Sequence, residues 1–158
     1  MKLSWFCSFV FFLALNTFGQ RYSFLNYSTA NGLPQSQVTS LAQDDQGYLW
    51  AGTLGGLSRF NGKDFQTFST ENGLLNNRIT TIVFIRKKLW VGHEGGASCI
   101  EKSTIRKWKF PKAYKNILVS KIIEFNNRIL IASNGAGLFE MKNGTLQKVN
   151  GLDGEDLR

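Results

Sequence analysis

From residue 37 onward, apolar and polar positions alternate in short bursts, each closed by glycine, asparagine or aspartate. The first burst, Gln37 to Gln43, carries Val38, Leu41 and Ala42 in an imperfect alternation and predicts a strand. Asp44-Asp45-Gln46-Gly47 then predicts a turn, because aspartate bonds its own backbone and glycine reaches positive φ. Tyr48 to Thr53 is the second predicted strand, Leu54-Gly55-Gly56 a second turn, and Leu57 to Phe60 a third strand. Asn61-Gly62 is a dipeptide suited to a two-residue hairpin with both φ angles positive, and Asp64 to Phe68 closes the unit as a fourth strand. No long stretch follows the helical period, which argues against a helical bundle.

The unit recurs. Asn31-Gly32-Leu33 returns as Asn72-Gly73-Leu74, 41 residues on; Leu49-Trp50 returns as Leu89-Trp90, and Gly55-Gly56 as Gly95-Gly96, each 40 residues on. Val38-Thr39-Ser40-Leu41 matches Ile79-Thr80-Thr81-Ile82 and then Val119-Ser120-Lys121-Ile122. The third copy continues through Ile129-Leu130-Ile131-Ala132-Ser133 and turns at Gly135-Ala136-Gly137, one residue longer. Four-stranded units of about 40 to 45 residues mark propeller blades, none of which can bury both faces alone. The predicted fold is therefore all-β: a partial β-propeller of about three four-stranded antiparallel blades. Trp50 and Trp90 are expected to fill the space between blades, with Gly55, Gly56, Gly95 and Gly96 as turn residues.

The expected organisation is a signal peptide at 1–19, an N-terminal closing strand at 20–27, blades at 28–68, 69–110 and 111–149, and the start of a fourth at 150–158. The closing strand is inferred because Phe24-Leu25-Asn26-Tyr27 precedes the first Asn-Gly-Leu just as Phe65-Gln66-Thr67-Phe68 precedes the second. In a closed ring such a strand joins the last blade and removes sheet edges. No last blade follows, so the sequence reads as part of a longer propeller; a short array closed by oligomerisation is the alternative.

Composition and charge refine this picture. Lys2, an apolar run from Leu3 to Leu15 broken by Ser4 and Ser8, and small Thr17 and Gly19 before Gln20 have the layout of a secretory leader. The run is shorter than the roughly 20 residues of a membrane span; an uncleaved anchor is the alternative. That layout predicts export, which in a bacterium would place the protein in the periplasm or cell envelope. Without the leader, Cys99 is the only cysteine and can form neither an internal disulfide nor a metal cluster; a buried thiol is expected. The net charge of +8 would suit nucleic acid or an anionic surface, but export argues against nucleic acid, and the loosely spaced basic residues from Arg86 to Arg128 read as a solvated face.

Asn31-Gly32-Leu33, Val38-Thr39-Ser40-Leu41, Asp44 and Asp45, Gly47-Tyr48-Leu49-Trp50-Ala51-Gly52-Thr53 and Gly56-Leu57-Ser58-Arg59-Phe60 together resemble the two-component regulator propeller repeat. The match weakens in the second copy, where Arg86-Lys87-Lys88 replaces the aspartate-glycine turn, and again in the third, which has Leu130 in place of tryptophan. The resemblance implies an extracytoplasmic sensor region of a bacterial signalling receptor of the Bacteroidetes type. In such receptors the propeller precedes a further β domain, a membrane span and a cytoplasmic histidine kinase. Implied partners are an oligosaccharide or other small ligand, the remainder of the receptor and a second subunit of the parent, with membrane contact only through downstream segments.

Candidate chemistry is sparse. His93 is the only histidine, so it alone could serve as a base, and it sits where the first unit has Thr53. Asp44 and Asp45 are adjacent in a turn, whereas paired acid–base work needs convergence from separate elements. Gly55-Gly56 and Gly95-Gly96 precede no helix, so they do not cradle phosphate. No catalytic set, metal site or cofactor is expected, and the chain reads as a non-enzyme whose parent carries the kinase. Binding is expected instead, at the loops leading into each inner strand. Gln35, Gln37, Asn77 and Arg78 are the candidate ligand-binding residues, because amides and a guanidinium suit hydroxyl-rich or anionic ligands. Two functions follow: a ligand-sensing propeller of a two-component receptor, or a stand-alone exported propeller acting as a protein-interaction or glycan-binding scaffold; a lyase or hydrolase propeller is disfavoured by the missing catalytic constellation.

Overall fold

The computed structural model describes residues 22–149. The expected leader and the start of a fourth blade lie outside the described residues. Twelve strands form three four-stranded antiparallel sheets, each a simple meander in chain order. The first holds β1 (Val38–Gln43), β2 (Leu49–Thr53), β3 (Leu57–Phe60) and β4 (Phe65–Phe68). The second holds β5 (Ile79–Ile85), β6 (Lys88–His93), β7 (Gly96–Glu101) and β8 (Thr104–Lys109). The third holds β9 (Val119–Phe125), β10 (Arg128–Ser133), β11 (Gly137–Lys142) and β12 (Thr145–Lys148). The inner strands β1, β5 and β9 stand side by side, so the sheets stack face to face as propeller blades.

The core lies between the sheets. Side chains alternate across a strand, so β6 sends Leu89 and Val91 to the cluster shared with the first sheet and Trp90 to the cluster shared with the third. Trp50 packs with Ile79, Ile82 and Leu89, and Trp90 with Ile122, Ile131 and Phe139. The repeat exposes the cost of a missing neighbour. Ile82 and Ile122 are 5% and 1% exposed, while Leu41, at the same register in the first sheet, is 59% exposed. Among the described residues, no preceding sheet covers that face.

Each inner strand carries the same irregularity. The register slips between Val38 and Ser40, between Ile79 and Thr81, and between Lys121 and Val119. A bulge therefore sits at Thr39, Thr80 and Ser120, which explains the imperfect alternation of the first burst. The bulge is used: Thr39 Oγ1 donates toward the carbonyls of Gly52 in its own blade and Ile79 in the next, each at 3.0 Å. Ser40 Oγ accepts from Ile82 N at 3.0 Å, a second polar bond across the same interface.

The turns depart from expectation in one place. Asn61-Gly62 does not form the two-residue hairpin: only Gly62 has positive φ, 97°. The Asn61 side chain instead accepts from the backbone of Lys63 and Asp64 at 2.8 and 2.7 Å, and Phe60 pairs with Phe65 across a four-residue loop. Such side-chain capture competes directly with the tighter turn. The two-residue geometry occurs at Asn126-Asn127 (φ 46° and 68°), Asn143-Gly144 (φ 51° and 74°) and Arg86-Lys87 (φ 51° and 60°). The last is unfavourable for long side chains, and Arg86 is held by Glu124 and Asn127 of the third sheet. Residues 22–27 form no strand. A closing strand needs another sheet to pair with, and here Tyr27 rests its ring on Phe60 and Phe65.

Gly52 and Gly92, at one register in β2 and β6, set the approach of the next blade. A Cβ on Gly92 would lie 2.6 Å from Val119 Cγ1 and 2.7 Å from Thr81 Cγ2; one on Gly52 would lie 2.6 Å from Ile79 Cγ2. The third sheet has Ala132 there, where no described sheet presses. Gly92→Ala is expected to destabilise the chain by about 2 kcal/mol, read as a lower urea midpoint. Ala132→Gly should cost under about 1 kcal/mol, the backbone entropy alone.

Candidate functional site

The loops that enter the inner strands and the turns after β2, β6 and β10 share one rim of the blade stack, as the pairing of Val38 with Thr53 and of Ile79 with His93 requires. Gln35, Gln37, Asn77 and Arg78 all lie there. They are held differently. Asn77 Oδ1 accepts from Thr70 N at 2.7 Å, so its carbonyl is committed to the connection before β5. Arg78 is exposed and places Nη1 3.8 Å from Glu94 Oε2. Gln35 and Gln37 are exposed, and the Gln35 Cβ stands 3.4 Å from where a Cβ on Gly55 would be. A cleft of about 440 Å³ opens on this rim, and its lining is Leu75, Glu94, Gly95, Lys109, Phe110, Lys112, Lys115 and Asn116. None of the four candidates is among these residues. The cleft depends on the connection between the second and third blades, which has no repeat motif to draw attention to it.

The two earlier connections are alike and self-contained. Ser28 and Ser69 cap short 3-10 turns at Thr29–Asn31 and Thr70–Asn72, Asn31 and Asn72 return bonds to the capping residues, and Gly32 and Gly73 end the turns. This is what the recurring Asn-Gly-Leu does; Leu33 and Leu74, which follow, are buried. The third connection has Pro111 before its 3-10 turn, Lys112–Tyr114, and no side-chain cap.

His93 is fully buried on this rim, with Nε2 2.9 Å from Ser98 Oγ. A hydroxyl beside an imidazole has the form of a nucleophile and its base. Here Ser98 is also fully buried, and its Oγ accepts from Leu75 N at 3.0 Å. The pair thus pins the 74–78 loop to the sheet. Thr53, at the register of His93, serves its own turn by donating to Gly56 O at 2.8 Å and accepting from Gly55 N. Gly95 and Gly96 occupy the corresponding turn, with φ of 84° and 148°.

On the opposite rim, Asp44 organises the first hairpin. Its Oδ1 accepts from Gln46 N and Tyr48 N at 3.0 and 2.9 Å, and its Oδ2 accepts from Trp50 Nε1 at 2.8 Å. The indole N–H therefore has a charged acceptor, as a buried tryptophan requires. Arg59 lies over the rings of Tyr48 and Trp50, 4.5 and 5.7 Å from their centroids. Trp90 lacks such an aspartate and stacks on Trp108 at 5.3 Å. Burial pushes the Cys99 thiol up to about 11, as expected for an unreactive core cysteine.

Residues 32–55 match the family model described as two component regulator propeller. Over 59 residues the chain is 37% identical to histidine kinase P4 of Formosa agariphila, covering 36% of this chain and 4% of that protein. Its fold resembles the extracellular domains of two hybrid two-component systems of B. thetaiotaomicron. The first has a TM-score of 0.62 and 24% identity over 74% of this chain and 17% of that one. The second has a TM-score of 0.63 and 23% identity over 75% and 17%. The chain thus spans a small fraction of each relative's length.

The buried imidazole makes stability depend on pH. Burial lowers the His93 pKa from 6.5 to about 4, opposed in part by the backbone of Asn76. Between these values the unfolded chain binds the proton and the folded chain does not. Stability is therefore full above the unfolded value and falls as pH drops toward the folded one, by about 3 kcal/mol at most. His93→Thr, which installs the residue of the first blade, should flatten this part of the profile in urea melts between pH 4 and 7. Parallel profiles for the two proteins would rule out His93 as the source.

Proposed function

Because the chain carries a repeat of the two-component regulator propeller family, we propose that it is the ligand-sensing, extracytoplasmic propeller portion of a two-component receptor whose kinase lies outside this chain. The stacked blades with a shared loop-bearing rim carry this reading. A rigid scaffold holds the loops, and loops on such scaffolds are where binding concentrates. The extracytoplasmic setting is supported by the leader-like first residues and by the extracellular placement of the similar folds. No helix among the described residues is long and apolar enough to cross a membrane, so coupling to a kinase would run through other segments.

The stand-alone scaffold keeps one observation in its favour: Gln35, Gln37 and Arg78 are exposed along the rim, as side chains meeting a protein partner would be. The two readings differ in what the intact gene encodes. A sensor's gene is expected to encode a membrane span and a histidine kinase beyond the propeller, or to lie beside such a gene. Replacing residues 22–149 in that receptor with an unrelated exported domain should abolish induction of kinase activity while basal autophosphorylation persists. Induction that survives the replacement would refute the sensor role.

A further inference from the structure

Ser58 in β3 and Ser98 in β7 stand at one register of the repeat, opposite Ala51 and Val91, and both are fully buried. Their hydroxyls are placed in opposite circumstances. Ser98 Oγ accepts from Leu75 N at 3.0 Å and lies 2.9 Å from His93 Nε2. Ser58 Oγ has no hydrogen-bond partner among the described residues. Two substitutions between the blades account for the difference. Pro34 stands where the second blade has Leu75, and proline has no N–H to donate. Thr53 stands where the second blade has His93, and its hydroxyl is already bonded to Gly56 O and Gly55 N.

The contrast extends to the loops above the two serines. The 75–78 loop is tied down several times over. Besides the Leu75 bond, Arg78 N donates to Asn76 Oδ1 at 3.0 Å, Asn77 Oδ1 accepts from Thr70 N, and Arg78 faces Glu94. Among the described residues, no hydrogen bond or ion pair holds Pro34, Gln35, Ser36 or Gln37. Packing alone seats that loop: a Cβ on Gly55 would lie 3.2 Å from Pro34 O, and one on Gly56 3.5 Å from Pro34 Cβ. Leu41, Ala51 and Ser58 share one face of the first sheet, and Leu41 there is 59% exposed. No described sheet covers this face, so the connection entering β1 is what buries Ser58.

We propose that residues 34–37 form a two-state flap on the loop-bearing rim. In its closed state the flap packs on Gly55 and Gly56; in its open state water reaches the Ser58 hydroxyl. A buried hydroxyl without a partner is costly, and lifting the flap removes that cost. Dispersion contacts with the glycine pair pull the other way. These opposed terms leave both states populated, whereas the bonds around Leu75 and Ser98 hold the second-blade loop in one. Gln35 and Gln37 ride on the flap, so any partner that bonds their amides in one state shifts the population toward it. The device operates under either function of the chain, and its test is independent of both.

The test is ¹⁵N relaxation dispersion on the full chain, which reads exchange between states on the μs–ms scale. Exchange is expected at Gln35, Ser36, Gln37 and Ser58, and not at Asn76, Asn77 and Arg78. Ser58→Ala removes the unpartnered hydroxyl, and Pro34→Leu supplies its missing donor. Each alone should shrink the exchange contribution about fivefold or more. The two combined leave the new N–H without its acceptor, and the exchange should return. Leu75→Pro takes the donor from Ser98 and should start exchange at Asn76, Asn77 and Arg78; the first-blade variants carry the test if this one fails to fold. Equal exchange in the two loops, no exchange at residues 35–37, or exchange unchanged by both single variants would overturn the proposal. Quenching by Pro34→Leu but not by Ser58→Ala would also overturn it, because the effect would then be backbone stiffness and not the hydroxyl.

Discussion

The structure rests on one physical constraint: a four-stranded sheet with two apolar faces gains its stability by burying those faces against neighbouring sheets. β6 shows it directly, with Leu89 and Val91 committed to one neighbour and Trp90 to the other. Burial of apolar area is the main favourable term, at about 25 cal/mol per Å², and in this chain it accrues between blades. The stability of each blade is thus tied to its neighbour, as in other repeat architectures. Gly52 and Gly92 set how closely the blades approach, and the bulges at Thr39 and Thr80 turn backbone irregularity into hydroxyls bonded to nearby carbonyls.

Function follows from what this arrangement leaves over. With both faces of the middle blade and one face of each outer blade consumed by packing among the described residues, the turns and connections at the two rims are where the chain can vary. On one rim the connections before β1 and β5 satisfy themselves with serine and asparagine caps, and the one before β9 does not. That connection is clasped by Gly95 and carries Lys112 and Lys115, which form no ion pair among the described residues. His93 and Ser98, the pair most like catalytic chemistry, are spent on anchoring a loop, and their complete burial gives a substrate no access.

Much of the fold was legible in the residues. The strands of the first blade fall within a residue of the bounds that its turn chemistry implies; the 40-residue recurrence of Leu-Trp and Gly-Gly separates the first two sheets, and Val119-Ser120-Lys121-Ile122 marks the third. Asn61-Gly62 departs from the expected hairpin because its dipeptide is compatible with two turns, and the Asn61 side chain decides between them by accepting from Lys63 N and Asp64 N. The candidate site was less legible. The loops entering the inner strands were located, yet the cleft is built from a connection that lacks the repeat motif, so its lysines read only as a dispersed basic stretch.

The sequence by itself determined the blades, because local alternation, turn residues and a strict period act over neighbouring positions and need no distant partner. It also determined which apolar residues must be covered. Only the tertiary structure decided which residues share a cavity and which polar groups are already satisfied. Lys109, Lys112 and Lys115 meet at one cleft because two backbone bonds to Gly95 close the loop that bears two of them, and Asn77 is occupied because Thr70 N lies within its reach. Such convergence is a matter of distances set by packing, and residue order along the chain does not encode those distances locally.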